Sequence, residues 1–252
     1  MRLNYFLVLS VFFFTSCTDY NNISVIEVID GDTIRLSNNK VLRYIGIDTP
    51  ESRIKEGSEF IYDPQPFSVQ AAQKNKDLVL GKKIRVEFDL VKTDKYGRLL
   101  GYCFYDGMMV NEELLKNGLA VLMTIPPNIK YTDRFIKAQT DARNQGRGLW
   151  AENEIVSDAQ ASDYIDQVRT VRGRVIRTFK SDKCIYLNFG ADYRTDFTIV
   201  IFKKSLRSFI DKKIDPENYY MNKMVEVTGR IKQYNGPEII VGHPSQITVL
   251  SY

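Results

Sequence analysis

The 252-residue chain has one histidine, His243, and three cysteines, Cys17, Cys103 and Cys184. It contains no Cys-x-x-Cys pair and no cluster of cysteine with histidine, which excludes a zinc site of the usual sulfur and imidazole kind. Long apolar runs are also missing. The stretch Phe6 to Phe14, broken by Ser10, falls short of the ~20 residues needed to span a bilayer. Charge of one sign is scarce, with a formal net charge of +4. That balance permits a polyanionic partner without specifying one. A hydrophobic content of 44% and a charged content of 26% describe an ordinary globular mix and exclude wholesale disorder. The length allows one or two compact domains.

The N-terminus reads as a processing segment. Arg2 supplies a positive start, the apolar run follows, and Thr15-Ser16-Cys17 closes it. This is a secretory signal pattern. It resembles a bacterial lipoprotein cleavage box, with Cys17 as the lipidated first mature residue. Phe14 stands where Leu is usual, so plain secretion is the alternative. The expectation is an exported protein held at a membrane, periplasmic or at the cell surface, by an N-terminal lipid anchor. Cys103 and Cys184 sit in strand-like contexts and read as buried free thiols, with a disulfide between them as the alternative.

The division expected is a signal over 1–16, a tether over 17–24, a first domain over 25–150, a linker over 151–166 and a second domain over 167–252. Asp30-Gly31-Asp32, between the apolar runs Val25 to Val28 and Thr33 to Leu36, is a strong hairpin signal. Val41 to Ile47 is a third strand, stopped by Pro50. Glu51 to Pro66 has no sustained period and reads as a long loop beside the site. Ser68 to Leu80 reads as a helix capped by Ser68, with Gly81 after it. Ile84 to Phe88 and Leu99 to Tyr105 are strands. Asn111 and Thr132 are N-cap candidates for two further helices, and Trp150 closes the core. Beyond 167, five short strands with a helix before the last two point to a small Greek-key barrel of the oligonucleotide/oligosaccharide-binding (OB) kind. The fold class expected is therefore mainly β with helices (α+β), two small barrels in series.

The stretch Val28 to Glu51 carries two Asp-bearing turns, Asp30-Gly31-Asp32-Thr33 and Asp48-Thr49-Pro50-Glu51, with Arg35 and Arg43 between them. Asp32 and Asp48 at strand ends suit a hard cation that takes oxygen ligands; taken singly, each is a turn residue first. Glu51, past a rigid Pro, is placed to orient or deprotonate a water, or is a solvated loop residue. Arg43 and Arg98 are planar donors matched to a phosphodiester, or a cross-strand ion pair and a turn residue. Arg35, between Ile34 and Leu36, reads as the solvent face of a strand. Lys95 and Tyr96 read as a second phosphate contact or as a solvated hairpin tip.

The segments VIDGDTIRL, LRYIGIDTPE, TDKYGRLLGY, VNEELLKNGLA and GRGLW together resemble the staphylococcal-nuclease (thermonuclease) family, in the family's order and spacing, from about Ile26 to Trp150. The resemblance implies a calcium-dependent phosphodiesterase on a five-stranded barrel with three helices, acting on DNA and RNA and leaving 3′-phosphates. It implies Asp32 and Asp48 as calcium carboxylates, with the Thr49 carbonyl as a third ligand. Glu51 becomes the general base or water-orienting residue. Arg43 and Arg98 become the transition-state residues, and Lys95 and Tyr96 the contacts to a terminal phosphate. The chain departs from the family after Ala120, where Val121 to Pro127 lacks the expected tyrosines and Tyr131 is the nearest substitute.

Residues 168–252 hold 15 basic and 8 acidic residues, so the positive excess lies in this half. Its aromatics, Tyr186, Phe189, Tyr193, Phe197 and Tyr234, form either a stacking platform for single strands or a core. The reading is a nuclease, expected to be monomeric. The alternatives are a catalytically inactive nucleic-acid-binding lipoprotein on the same fold and a structural envelope lipoprotein.

Overall fold

The computed structural model describes residues 19–56, 59–150 and 155–250. The signal segment and Cys17 lie outside the described residues. The first half is built from β1 (Ile23–Val28), β2 (Thr33–Leu36), β3 (Val41–Tyr44), β4 (Gly46–Asp48), β5 (Arg53–Glu56), β6 (Glu59–Tyr62), α1 (Ser68–Val79), β7 (Lys83–Thr93), β8 (Leu99–Tyr105), β9 (Met108–Met109), α2 (Val110–Lys116), β10 (Val121–Met123) and α3 (Thr132–Asn144). Five strands run in the order β3-β2-β1-β7-β8, and a parallel β3–β8 ladder closes them into a barrel. Period-two alternation explains the inside. Ile34, Leu36, Leu42, Tyr44 and Ile84 are buried in one core, while Arg35 points out and pairs with Glu27 at 2.6 Å. Each such aliphatic side chain stabilises the fold by roughly 1.5–3 kcal/mol through burial.

Several local expectations change. Val41 to Ile47 is not one strand. The strand is interrupted at Ile45, and β4 opens on Gly46, whose φ of +83° places its α-carbon against the Phe135 ring, where a Cβ would lie 2.5 Å from Cε2. Residues 51–66 are not a plain loop, because β5 and β6 form an antiparallel hairpin. The three expected caps do not cap. Asn111 lies inside α2 and instead bridges the barrel, accepting from Cys103 N at 2.9 Å and donating to Ile45 O at 2.9 Å. The α1 and α3 helices begin with no side-chain cap bond at all. A buried cross-link satisfies two backbone groups far apart in sequence, which a local capping pattern does not reveal.

The second half contains β11 (Ile155–Ser157), β12 (Val168–Arg174), β13 (Arg177–Lys180), β14 (Cys184–Asn188), β15 (Thr198–Phe202), α4 (Leu206–Ile210), α5 (Pro216–Tyr219), β16 (Met224–Gln233), β17 (Pro237–Ile240) and β18 (Ile247–Val249). Its strand order is β11-β12-β16-β17-β15-β14-β13, with β15 and β17 parallel. β12 and β13, which flank the β16-β17-β15-β14 run on either side, are consecutive in the chain, separated by Val175 and Ile176. Part of the polar stretch read as a linker adds to this sheet, since β11 pairs parallel with β12. Cys103 and Cys184 are buried free thiols.

The halves are packed together. Val121, Ala142 and Trp150 of the first share a buried cluster with Val168 of the second. Arg143 crosses to Glu226 at 2.8 Å, and a Cβ on Gly242 would lie 1.8 Å from Thr124 O. Among the described residues no helix is long and apolar enough to cross a membrane.

Candidate active site

The β1–β2 turn is held from below by α1. Asn75 donates to Asp30 O at 3.1 Å and accepts from the Tyr44 hydroxyl at 3.0 Å. A Cβ on Gly31 would meet Thr49 Oγ1 at 2.7 Å and Ala71 Cβ at 2.8 Å, so glycine lets this turn close onto the Asp48 turn. Register does the rest. Thr33 lies opposite Arg43 across β2–β3, which brings the Arg43 side chain beside Asp32. Asp48 ends β4 opposite Val121 of β10.

The three residues read as metal ligands therefore converge, together with Arg43. Asp32 Oδ2 accepts from Thr49 N at 3.0 Å and from Thr49 Oγ1 at 3.1 Å, and Oδ1 is ion-paired with Arg43 Nη1. Asp48 Oδ1 pairs with Arg43 Nη2 at 2.8 Å. Glu51 stands beside them with its side chain 46% exposed, and Gln65 Oε1 accepts from its backbone N–H at 3.1 Å.

The second half contributes a residue the sequence reading passed over. Arg230 of β16 donates through Nε to Asp48 Oδ2 at 2.8 Å and through Nη2 to Thr49 O at 2.6 Å. Its Nη1 donates to Gln65 Oε1 at 3.1 Å and to Asp166 O at 2.7 Å, and Nη2 lies 3.7 Å from Glu51 Oε1. The side chain is 8% exposed. A faint signal existed, since Glu226, Thr228 and Arg230 alternate with Val225, Val227 and Ile231, giving β16 one polar face. Sequence alone does not say that this face meets another barrel instead of water.

A polar cleft of about 660 Å³ opens at this junction, lined by Asp32, Arg43, Glu51, Arg98, Arg230 and Lys232 among others. Arg98 reaches it from the β7–β8 turn, its Nε fixed 2.7 Å from Asp94 Oδ2. Lys95 and Tyr96 sit at the exposed tip of the same turn and do not line the cleft. Tyr131 is spent on packing, its hydroxyl donating to Glu87 at 2.9 Å.

The charges follow from these contacts. Burial works against ionised Asp48, but Arg230 and then Arg43 overcome it and hold its carboxyl below the usual range. Burial raises Asp30, with Arg43 opposing. Burial also raises Glu51, with Arg230 opposing and Asp30 and Asp48 reinforcing.

Two carboxylates and a carbonyl are the oxygen chemistry a calcium ion takes. In this arrangement they do not fit one. Both Asp48 oxygens and the Thr49 carbonyl accept from guanidinium nitrogens, and both Asp32 oxygens have partners. Among the described residues no group of three or more acidic, His or Cys side chains is arranged to hold a metal.

Residues 41–152 match the family described as staphylococcal nuclease homologue. The chain is 39% identical over 142 residues to the SPbeta prophage-derived endonuclease YokF of Bacillus subtilis (strain 168), covering 54% of this chain and 46% of that protein. It is 38% identical to endonuclease YncB of the same organism, covering 54% of this chain and 65% of that one. These two relatives are thus matched over about half to two thirds of their own length. With the thermonuclease of Staphylococcus hyicus it shares 38% identity over 130 residues, half of this chain and 74% of the relative. On that coverage and identity, this chain belongs to the staphylococcal nuclease family.

Proposed function

We propose that the protein is a nuclease that hydrolyses phosphodiester bonds of DNA and RNA and leaves 3′-phosphate ends. The observation that carries this reading is the convergence of Arg43, Glu51 and Arg98 on one polar cleft beside Asp32. A phosphodiester enters with one negative charge and gains another as a nucleophile adds to phosphorus. Arg43 and Arg98 present guanidinium donors to that growing charge, where planar donors outperform an ammonium. Glu51 orients the attacking water and takes its proton, a role that requires the ionised form. Its half-exposed carboxylate, set past Pro50, leaves room for a water. These roles belong to the side chains alone. Calcium remains an expectation from the family resemblance, since the oxygens that would hold it have other partners here.

The second half supports an accessory strand-binding role. Its order β12-β16-β17-β15-β14-β13, with a parallel β15–β17 pair and α4 between β15 and β16, repeats the pattern of the first barrel and favours an OB-like reading. Phe179, Tyr186, Tyr193 and Tyr234 line a cleft of about 430 Å³ together with Arg177. Phe179 stacks near Tyr186 with centroids 6.1 Å apart, and Tyr234 is 80% exposed. Phe189 and Phe197, by contrast, are core residues packed edge to face. Weaker binding of a long single strand by Tyr234→Ala, with cleavage of a dinucleotide unchanged, supports this role; unchanged strand affinity rejects it. Export and lipid anchoring through Cys17 rest on the sequence of residues 1–17. Release of Cys17→Ser from membranes tests them, and continued membrane association rejects the anchor.

The decisive assay is hydrolysis of single-stranded DNA by residues 18–252, with calcium and with a chelator. Cleavage that requires calcium and leaves 3′-phosphates supports the full reading. Binding without cleavage favours the second reading, an inactive nucleic-acid-binding protein. The occupation of the Asp48 and Thr49 oxygens by Arg230 is the observation that favours that alternative.

A further inference from the structure

Arg230, supplied to the cleft by the second barrel, reaches the Asp48 turn, and its contacts are not those of an ordinary interface ion pair. Its guanidinium donates to Asp48 Oδ2, to the Thr49 carbonyl, to Gln65 and to Asp166 O, and its remaining reach is toward Glu51 at 3.7 Å. Two of those acceptors, the Asp48 carboxylate and the Thr49 carbonyl, are the oxygens at which a hard divalent cation would enter. We propose that Arg230 is a built-in cation that competes with a divalent metal ion for the Asp48–Thr49 turn, so that metal binding there requires the second barrel to withdraw its guanidinium. The inference rests on the reading of Asp32, Asp48 and Thr49 as the metal position.

Three observations carry it. The first is saturation: nearly every N–H of the guanidinium is spent on protein acceptors and the side chain is 8% exposed, so Arg230 is not poised to fork a substrate phosphate. The second is charge. Asp32 and Asp48 face Arg43 and Arg230, so two negative charges already meet two positive ones. A divalent ion inserted beside both guanidiniums would meet like charge at close range, whereas removal of Arg230 leaves an excess of carboxylate that includes Glu51. The third is the way Arg230 is mounted. Lys232, two residues on along β16, is tied to Asp166 at 2.9 Å, and Gln65 Nε2 donates to Asp166 O at 2.6 Å. The same β16 face carries Glu226, which receives Arg143 of the first half at 2.8 Å. The guanidinium therefore arrives on a strand that is itself docked on the first barrel. Occupancy of the metal position is thereby linked to the docking of the two halves, and the linkage is reciprocal: whatever loosens the docking strengthens metal binding, and metal binding loosens the docking.

The test reads calcium binding directly, without substrate, by isothermal titration and by terbium luminescence on residues 18–252. Wild type, Arg230→Met, Arg230→Lys and the double variant Arg230→Met/Asp48→Asn are compared, each first checked for a cooperative melt. The expected result is that Arg230→Met binds calcium roughly tenfold or more tightly than wild type. Arg230→Lys falls between them, because one ammonium does not span Asp48 and Thr49 together, and the double variant loses the gain. Arg230→Lys keeps the charge, so it carries the comparison if Arg230→Met does not fold. Equal or weaker calcium affinity in folded Arg230 variants overturns the competition. Absence of calcium binding to a folded Arg230→Met overturns the metal position together with it. Neither failure touches the nuclease reading, which stands or falls on cleavage of DNA by the wild-type chain.

Discussion

Arg43 Nη2 lies 2.8 Å from Asp48 Oδ1, so the residue read as a phosphate donor is tied directly to a residue read as a metal ligand. With Asp32 held by the same guanidinium, the two turns and β3 form one ion-paired unit. Glu51 stands apart from that unit. Its side chain is 46% exposed, and Arg230 Nη2 lies 3.7 Å from its Oε1. Glu51→Gln keeps the shape and removes the base. Turnover should fall by about 10²–10⁴-fold, while the melting temperature stays within a degree or two of wild type, because the residue supports little of the fold. Steady-state kinetics beside a thermal melt checks both halves of the statement. Near wild-type turnover would remove Glu51 from the mechanism.

Arg98 offers a second separation of chemistry from stability. Its backbone N–H and its Nε both reach Asp94, at 3.0 and 2.7 Å, which fixes the stem and directs the rest of the fork to the cleft. Arg98→Lys retains charge and loses the planar fork. Most of the kcat should disappear, with KM changed less, since a donor matched to the transition state is what is removed. A KM increase at unchanged kcat would instead make Arg98 a ground-state binding residue.

Much of this was legible in the sequence. The Asp-Gly turn, the alternation of Ile34 and Leu36 around Arg35, and the strand Leu99–Tyr105 all reflect local rules, and the structure follows them. What was not legible depends on partners distant in sequence. Asn111 looks like a cap and is a bridge, because Ile45 O is 66 residues away. Arg230 looks like part of a strand's solvent-facing polar side and is instead a buried cation of the site, because Asp48 is 182 residues away. Periodicity reports which side of a strand is polar and is silent on what that side will meet.

Those long-range contacts decide the outcome of a truncation. Residues 18–150 alone would expose Val121 and Trp150, which share a buried cluster with Val168, and would strip Asp48 of one of its two guanidinium partners. The fragment should fold with a melting temperature several degrees below the full chain, by about 4–8 °C for each kcal/mol lost in a domain of this size. Trp150 is the only tryptophan and lies at the junction, so its emission should shift to the red. A fragment as stable as the full chain, with unchanged emission, would show that the two halves do not support one another.

The junction also carries a titratable group. His243, buried at 7% exposure, caps the short turn before β18 by accepting from Ser245 N through Nδ1 at 3.2 Å. Burial lowers its pKa below the usual histidine value, Lys212 lowers it further, and Asp133 of the first half opposes them. A histidine with a depressed folded pKa favours the neutral form in the native state. Its contribution to stability is therefore present in full above about pH 6.5 and is lost as the pH falls through the lower folded value. His243→Asn keeps a side-chain acceptor for the cap and has no proton to gain. Between pH 7 and pH 5 the melting temperature of wild type should fall more steeply than that of the variant. Parallel profiles over that range would mean that His243 stays neutral without cost, and that acid sensitivity arises from the carboxylates of the cleft.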